Sequence, residues 1–142
     1  MATSPNFTKT PRAASVLTVT GSPVTTLTGV HLDGTPTAGV TLLISGVATV
    51  GTKITSITAK ATATTSNPIL CNIWISYNAG TNCFVYDQLI VPAATMTTAV
   101  PASRIVATYS DLVLPDDSAK LYVASTTADV LHVTALGGNL DA

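Results

Sequence analysis

Residues 69–91 read ILCNIWISYNAGTNCFVYDQLIV, and the way they alternate decides the fold class. Ile69, Cys71, Ile73, Ile75 and Tyr77 fall on one face of an extended chain, while Leu70, Asn72, Trp74 and Ser76 fall on the other. A turn signal, Asn78-Ala79-Gly80, follows, and a second apolar run occupies residues 83–91. Two such runs around a glycine-containing turn predict an antiparallel β-hairpin. The first set reads as a core face. The second places Trp74 among polar neighbours, which predicts an aromatic side chain facing outward or into an interface.

A turn centred near Ala79 and Gly80 puts Cys71 opposite about Gln88 and Cys83 opposite about Ser76. That is several rungs out of register for a cross-strand disulfide, whose Cα atoms must approach within about 7 Å. Two buried free thiols are expected, as in a protein assembled in a reducing compartment.

The rest of the chain is written in the same β idiom. Strand-like segments recur at residues 14–20, 25–32, 40–44, 53–64, 103–109, 120–125 and 130–136, separated by Gly, Pro, Asn and Asp clusters. In 53–64, Ile57, Ala59 and Ala61 share one face and Ser56, Thr58, Lys60 and Thr62 the other. Ile54 sits with the polar set, which predicts a bulge or a strand end there. Glutamate is absent and Gln88 is the single glutamine, so straight-chain helix formers are scarce while β-branched residues dominate. These features predict an all-β fold: a jelly-roll-like antiparallel β-sandwich of eight or nine short strands. Residues 1–13, with Pro5 and Pro11 flanking NFTKT, read as an extended N-terminal arm, and 14–142 as a single β-sandwich domain.

Charge is sparse. Six basic and seven acidic side chains make up 9% of 142 residues, with a net charge of -1, against roughly 25% charged residues in ordinary soluble domains. Mean hydropathy is +0.48. The outward faces must then be mostly Thr, Ser, Ala and Asn, which form close neutral contacts without stripping water from an ion. The composition favours a protein packed against copies of itself or against a lattice.

The same sparseness argues against several functions. Six scattered cations cannot supply the phosphate contacts of nucleic-acid binding. The longest apolar runs fall short of the roughly 18 residues of a membrane helix, and the opening residues have no signal-peptide core. His31 and His132 have no neighbours at ligand spacing. Asp116-Asp117-Ser118 reads as a turn more readily than as a calcium loop. No nucleophile elbow, carboxylate pair or phosphate-cradling loop is present. No enzyme, metal or cofactor is expected. The terminal arm is the exception to the dispersed charge: Phe7, Lys9 and Arg12 together suggest a docking peptide for an acidic protein surface.

Four stretches in order, SPNFTKTP (4–11), KITSITAKATATT (53–65), NIWISYNAGTNCFVYDQLIVPA (72–93) and YSDLVLPDDSAKLYVASTTADVLHVTALGGNL (109–140), resemble the capsid decoration, or cement, proteins of tailed bacteriophages. Within the last, DLVLPDDSAKLYVAST is similar to a recurrent theme preceding a final strand that ends in a Gly-Gly turn; Asp116-Asp117 stands where a glycine is usual. The resemblance implies a non-enzymatic role on the outer face of a virion, after assembly in the host bacterial cytoplasm. Its implied partners are the major capsid protein and further copies of the chain, as a homodimer or homotrimer. Phe7, Lys9, Arg12, Trp74 and Tyr86 are the expected capsid or oligomer contacts. The alternative is a phage tail or head-fibre domain, or a carbohydrate-binding β-sandwich contacting the host.

Overall fold

The structure, a computed structural model, describes residues 8–19, 40–126 and 131–140. Within them are eight strands and no helix: β1 (Thr8–Val19), β2 (Thr41–Ser45), β3 (Thr52–Ala61), β4 (Ile69–Ser76), β5 (Phe84–Val91), β6 (Arg104–Leu114), β7 (Lys120–Ser125) and β8 (Leu131–Leu140). They form two antiparallel four-stranded sheets, β1-β8-β3-β6 (sheet A) and β2-β7-β4-β5 (sheet B), so the expected all-β sandwich is the observed fold. The strand read at 25–32 lies outside the described residues.

The topology follows from one hairpin. β4 pairs with β5, and moving outward along the chain β3 pairs with β6, β2 with β7 and β1 with β8. The chain is thus a double-stranded ribbon folded at the β4–β5 turn. Rolling the ribbon on itself adds the β3–β8 and β4–β7 pairings and closes an apolar face on each sheet against the other. Ile57 and Ala59 of β3, Ile69, Cys71 and Ile73 of β4, Leu121 and Val123 of β7, and Val133 and Ala135 of β8 form that core and are all fully buried.

Several local rules explain the rest. Between Ile54 and Ser56 the register of β3 shifts against both β6 and β8. The bulge at Thr55 resets the alternation, so Ile54 and Ile57 are both buried, as the misplaced Ile54 predicts. The β4–β5 turn places Ala79 and Gly80 at positive φ, where glycine is at ease and alanine is held by its surroundings. Asn78 Oδ1 accepts from the Ser76 hydroxyl and from the Asn82 amide at 2.9 and 2.8 Å. The Ala79 amide also donates to the Ser118 carbonyl at 2.8 Å, docking this turn on the β6–β7 turn. In the latter, Asp116 accepts from the Ser118 amide at 2.9 Å and from its hydroxyl. That side-chain turn accounts for the Asp-Asp-Ser sequence, and those hydrogen bonds hold the Asp116 carboxyl below its usual range.

Three expectations are corrected. Residues 8–13, read as part of an arm, belong to β1 and pair with Leu136–Leu140 of β8. Pro11 is tolerated because β1 is an edge strand, where one ladder face needs no N–H. Gly137 and Gly138 do not form a terminal turn but lie inside β8, opposite Ile54 and Lys53. Trp74 does face away from the inter-sheet core, yet it is buried with Tyr122, its cross-strand partner, and with Cys83 and Ala124.

The two thiols are free and buried, on opposite faces of sheet B: Cys71 in the main core and Cys83 in the Trp74 cluster. Cys71 pairs with Leu89, one rung from the position the turn geometry gives, because β5 bulges at Tyr86. Burial first, then the Asp87 carboxylate, pushes the Cys71 thiol up to about 12. Burial and the hydrogen bond donated to Asp87 raise the Tyr109 phenol as well. Both groups hold their proton more tightly when folded. Their contribution is therefore complete below the unfolded values near 9 and 10 and declines as pH rises toward the folded ones. Denaturation midpoints are expected to be flat up to about pH 9 and to fall above it. A midpoint unchanged at pH 11 contradicts this account.

Candidate interaction surface

Of the residues expected to make contacts, the three described with their side chains, Arg12, Trp74 and Tyr86, lie on three different strands. Phe7 lies outside the described residues. Lys9 falls in β1, at a register shift between Thr8 and Thr10. Arg12 is committed to the fold: its Nη1 donates to the Ser45 carbonyl of sheet B at 2.6 Å and to Thr52 Oγ1 of sheet A at 2.9 Å. Thr52 passes the link to Asn139 Oδ1 at 3.1 Å. A half-buried guanidinium that ties both sheets together is a staple, not the free cation of an arm. Trp74, buried in the cluster above, is not an exposed contact in the single chain. Arg12→Met is expected to cost about 1.5–3 kcal/mol, the scale for hydrogen bonds to a charged group, measurable by urea denaturation; a loss below 0.5 kcal/mol contradicts the staple.

Tyr86, the last of the five, leads to a surface the sequence did not single out. β5 is an edge strand of sheet B and, among the described residues, pairs only with β4. Phe84 is 62% exposed, Ile90 57%, Val85 40% and Tyr86 39%, with Tyr77 exposed beside them. Asp87 is the strand's single ionisable carboxylate. It is already engaged, accepting from the Tyr109 hydroxyl at 2.7 Å and from the Gln88 amide at 2.7 Å. The Tyr86 and Tyr109 rings lie 5.6 Å apart at 47°, linking β5 to β6 of the facing sheet on the sandwich's open side.

Edge strands are usually guarded by shortness, proline, lysine or inward charge, because their free N–H and C=O groups invite another strand. The other edges have such guards. β1 contains Lys9 and Pro11, β2 is five residues long, and β6 contains Arg104 and Asp111. β5 has eight residues with neither lysine nor proline. Its guards are the bulge at Tyr86 and Asp87, which is turned toward Tyr109 of the facing sheet.

The outer face of sheet A is of a different character. Its rungs pair Ser56 with Thr108 and Leu136, and Thr58 with Val106 and Thr134. These central rungs mix Ser and Thr with exposed Val106 and Leu136. They can make close contacts at low desolvation cost, but present no aromatic anchor.

Among the described residues no three His, Cys, Asp or Glu side chains gather into a metal-binding group, and no helix is long and apolar enough to cross a membrane. Comparison with protein-family models, with curated proteins and with solved structures found no match to the chain.

Proposed function

We propose that the chain is a structural virion protein that binds the outer surface of a bacteriophage capsid and, as a homo-oligomer, cements neighbouring capsomers. The reading rests on one observation above all: an apolar edge strand, β5, with four large side chains exposed and neither lysine nor proline, in a chain of which only 9% is charged. Phe84, Val85, Tyr86 and Ile90 provide anchors, and the free strand edge provides main-chain hydrogen bonds for a partner strand. We read the rolled ribbon as a jelly roll, an architecture that recurs in viral shells and in lectins. Reduced, buried cysteines suit assembly in a bacterial cytoplasm. Many modest contacts on one shell multiply, so each copy need bind only moderately.

The test is electron cryo-microscopy of particles incubated with the purified chain, alongside sedimentation velocity of the chain alone. Density on the outer shell and a closed oligomer are expected. A persistent monomer that leaves no density on particles overturns the proposal. The lectin-like alternative draws on the exposed Tyr77, Phe84 and Tyr86 around the β4–β5 turn, since sugars stack on aromatic platforms. Saturable binding to a glycan array without particle binding decides in its favour.

A further inference from the structure

On the outer face of sheet A, near the end where β3 leads into β4, a single rung holds Arg104 of β6, Lys60 of β3 and His132 of β8 in direct register. Strands lie about 4.8 Å apart, so these three nitrogen-bearing side chains stand in a row about 10 Å wide. Lys60 and Arg104 are exposed, and neither side chain forms a hydrogen bond or ion pair among the described residues. Like charges directly opposed across two strands are destabilising, and the chain has only six basic side chains to place.

The described carboxylates lie elsewhere. Asp87 is tied to Tyr109 on β5, Asp111 is near the far end of β6, and Asp116 and Asp117 occupy the β6–β7 turn at the opposite end of the sandwich. His132 adds a second unmet demand: its Nε2 is shielded from solvent and has no hydrogen-bond partner, an uncommon state for a buried polar atom. Beside the rung is a hollow of about 400 Å³, lined by Lys60, His132, Met96, Thr97, Pro101 and Ala102. Lys60 and His132 thus border a partly apolar recess of small-molecule size, and Arg104 stands beside Lys60 at its rim on the neighbouring strand.

We propose that this rung and hollow bind an organic carboxylate, the anionic head between Arg104 and Lys60 and a short aliphatic stem against Met96 and Pro101. The planar Arg104 fork matches a carboxylate in two contacts, and Lys60 adds a point charge. The site lies on the outer face of sheet A, not on the β5 edge, and stands whether or not the capsid reading holds.

Butyrate is the probe, titrated into isotope-labelled protein and followed by NMR at constant ionic strength. Saturable shifts at Lys60, the His132 ring and the Met96 methyl are expected, with a millimolar dissociation constant. Acetate should bind about tenfold more weakly, because it lacks two methylenes. The Lys60→Gln/Arg104→Gln double variant should lose the shifts yet melt no lower than the parent, since it removes a repulsion. Four results overturn the proposal: no saturable shift, equal shifts in the double variant, inorganic phosphate binding as tightly as butyrate, or butyrate binding only in Asp129→Asn. The last means that the chain's own carboxylate, outside the described residues, already fills the rung.

Discussion

Lysine at both Phe84 and Ile90 is expected to abolish association through β5, weakening it at least about a hundredfold, while the isolated sandwich melts within a few degrees of the parent. The two parts of this outcome have separate causes. Both side chains are more than half exposed, so little packing is lost in the free protein, and surface changes of this kind stay within about 0.5 kcal/mol. At an interface the same side chains would be covered. Losing the rest of their burial forfeits about 1 kcal/mol each. Holding an ammonium group there without a counter-charge costs several kcal/mol more. The sum exceeds the roughly 2.7 kcal/mol that corresponds to a hundredfold change. Lysine on an edge is also the residue by which natural sheets repel an added strand. Sedimentation velocity reads self-association and co-sedimentation with particles reads shell binding, so the double variant also tells which partner β5 serves. Val106→Lys, on the outer face of sheet A, is the control and should change neither. If the double variant behaves like the parent in both assays, β5 is not the contact.

That surface was hidden in the sequence for a definite reason. FVYDQLIV reads as a strand, and its hydrophobicity reads as core. Whether such a strand ends up in the middle of a sheet or at its rim depends on which strands the rolled ribbon brings alongside, and no periodicity encodes that. Trp74 shows the converse. Alternation assigns it correctly to the face opposite Ile73 and Ile75, but says nothing of Tyr122 and Cys83, which bury it there. Arg12 looked like a free cation because a local reading cannot see Ser45 and Thr52 converge on it from two sheets.

Where local rules govern, the sequence was readable. Residues 120–125 form a strand with the expected bounds, and the phase break at Ile54 marks a bulge. The hairpin at 69–91 is the fold's central turn. β1 begins inside the expected arm because Pro11, out of place in a central strand, is accommodated at an edge. β6 runs on to Leu114, past the expected end at Tyr109, because Leu112 and Leu114 resume the buried alternation after the exposed Asp111.

Gly137→Ala is expected to destabilise the protein by about 3 kcal/mol, near the upper end for forcing extra atoms into a packed site. In a chain of this size that lowers the melting temperature by about 10 °C. Gly137 lies between Ile54 of β3 and Arg12 of β1, in the strand that joins them. The β3 bulge swings the backbone toward it. A Cβ there would press into the carbonyl oxygen of Lys53 and stand 3.0 Å from Ile54 Cα. Neither obstacle is the end of a flexible side chain, so relief requires β3 and β8 to part, which leaves ladder hydrogen bonds unmade. The damage also reaches β1, because Arg12 pairs with Gly137 and from that position bridges to Ser45 and Thr52. Leu136→Ala, one residue away but exposed, should cost no more than about 0.5 kcal/mol. Chemical denaturation of the two variants therefore separates a general sensitivity of β8 from the close backbone approach. If both melt alike, the bulge does not explain why a glycine occupies the middle of a strand.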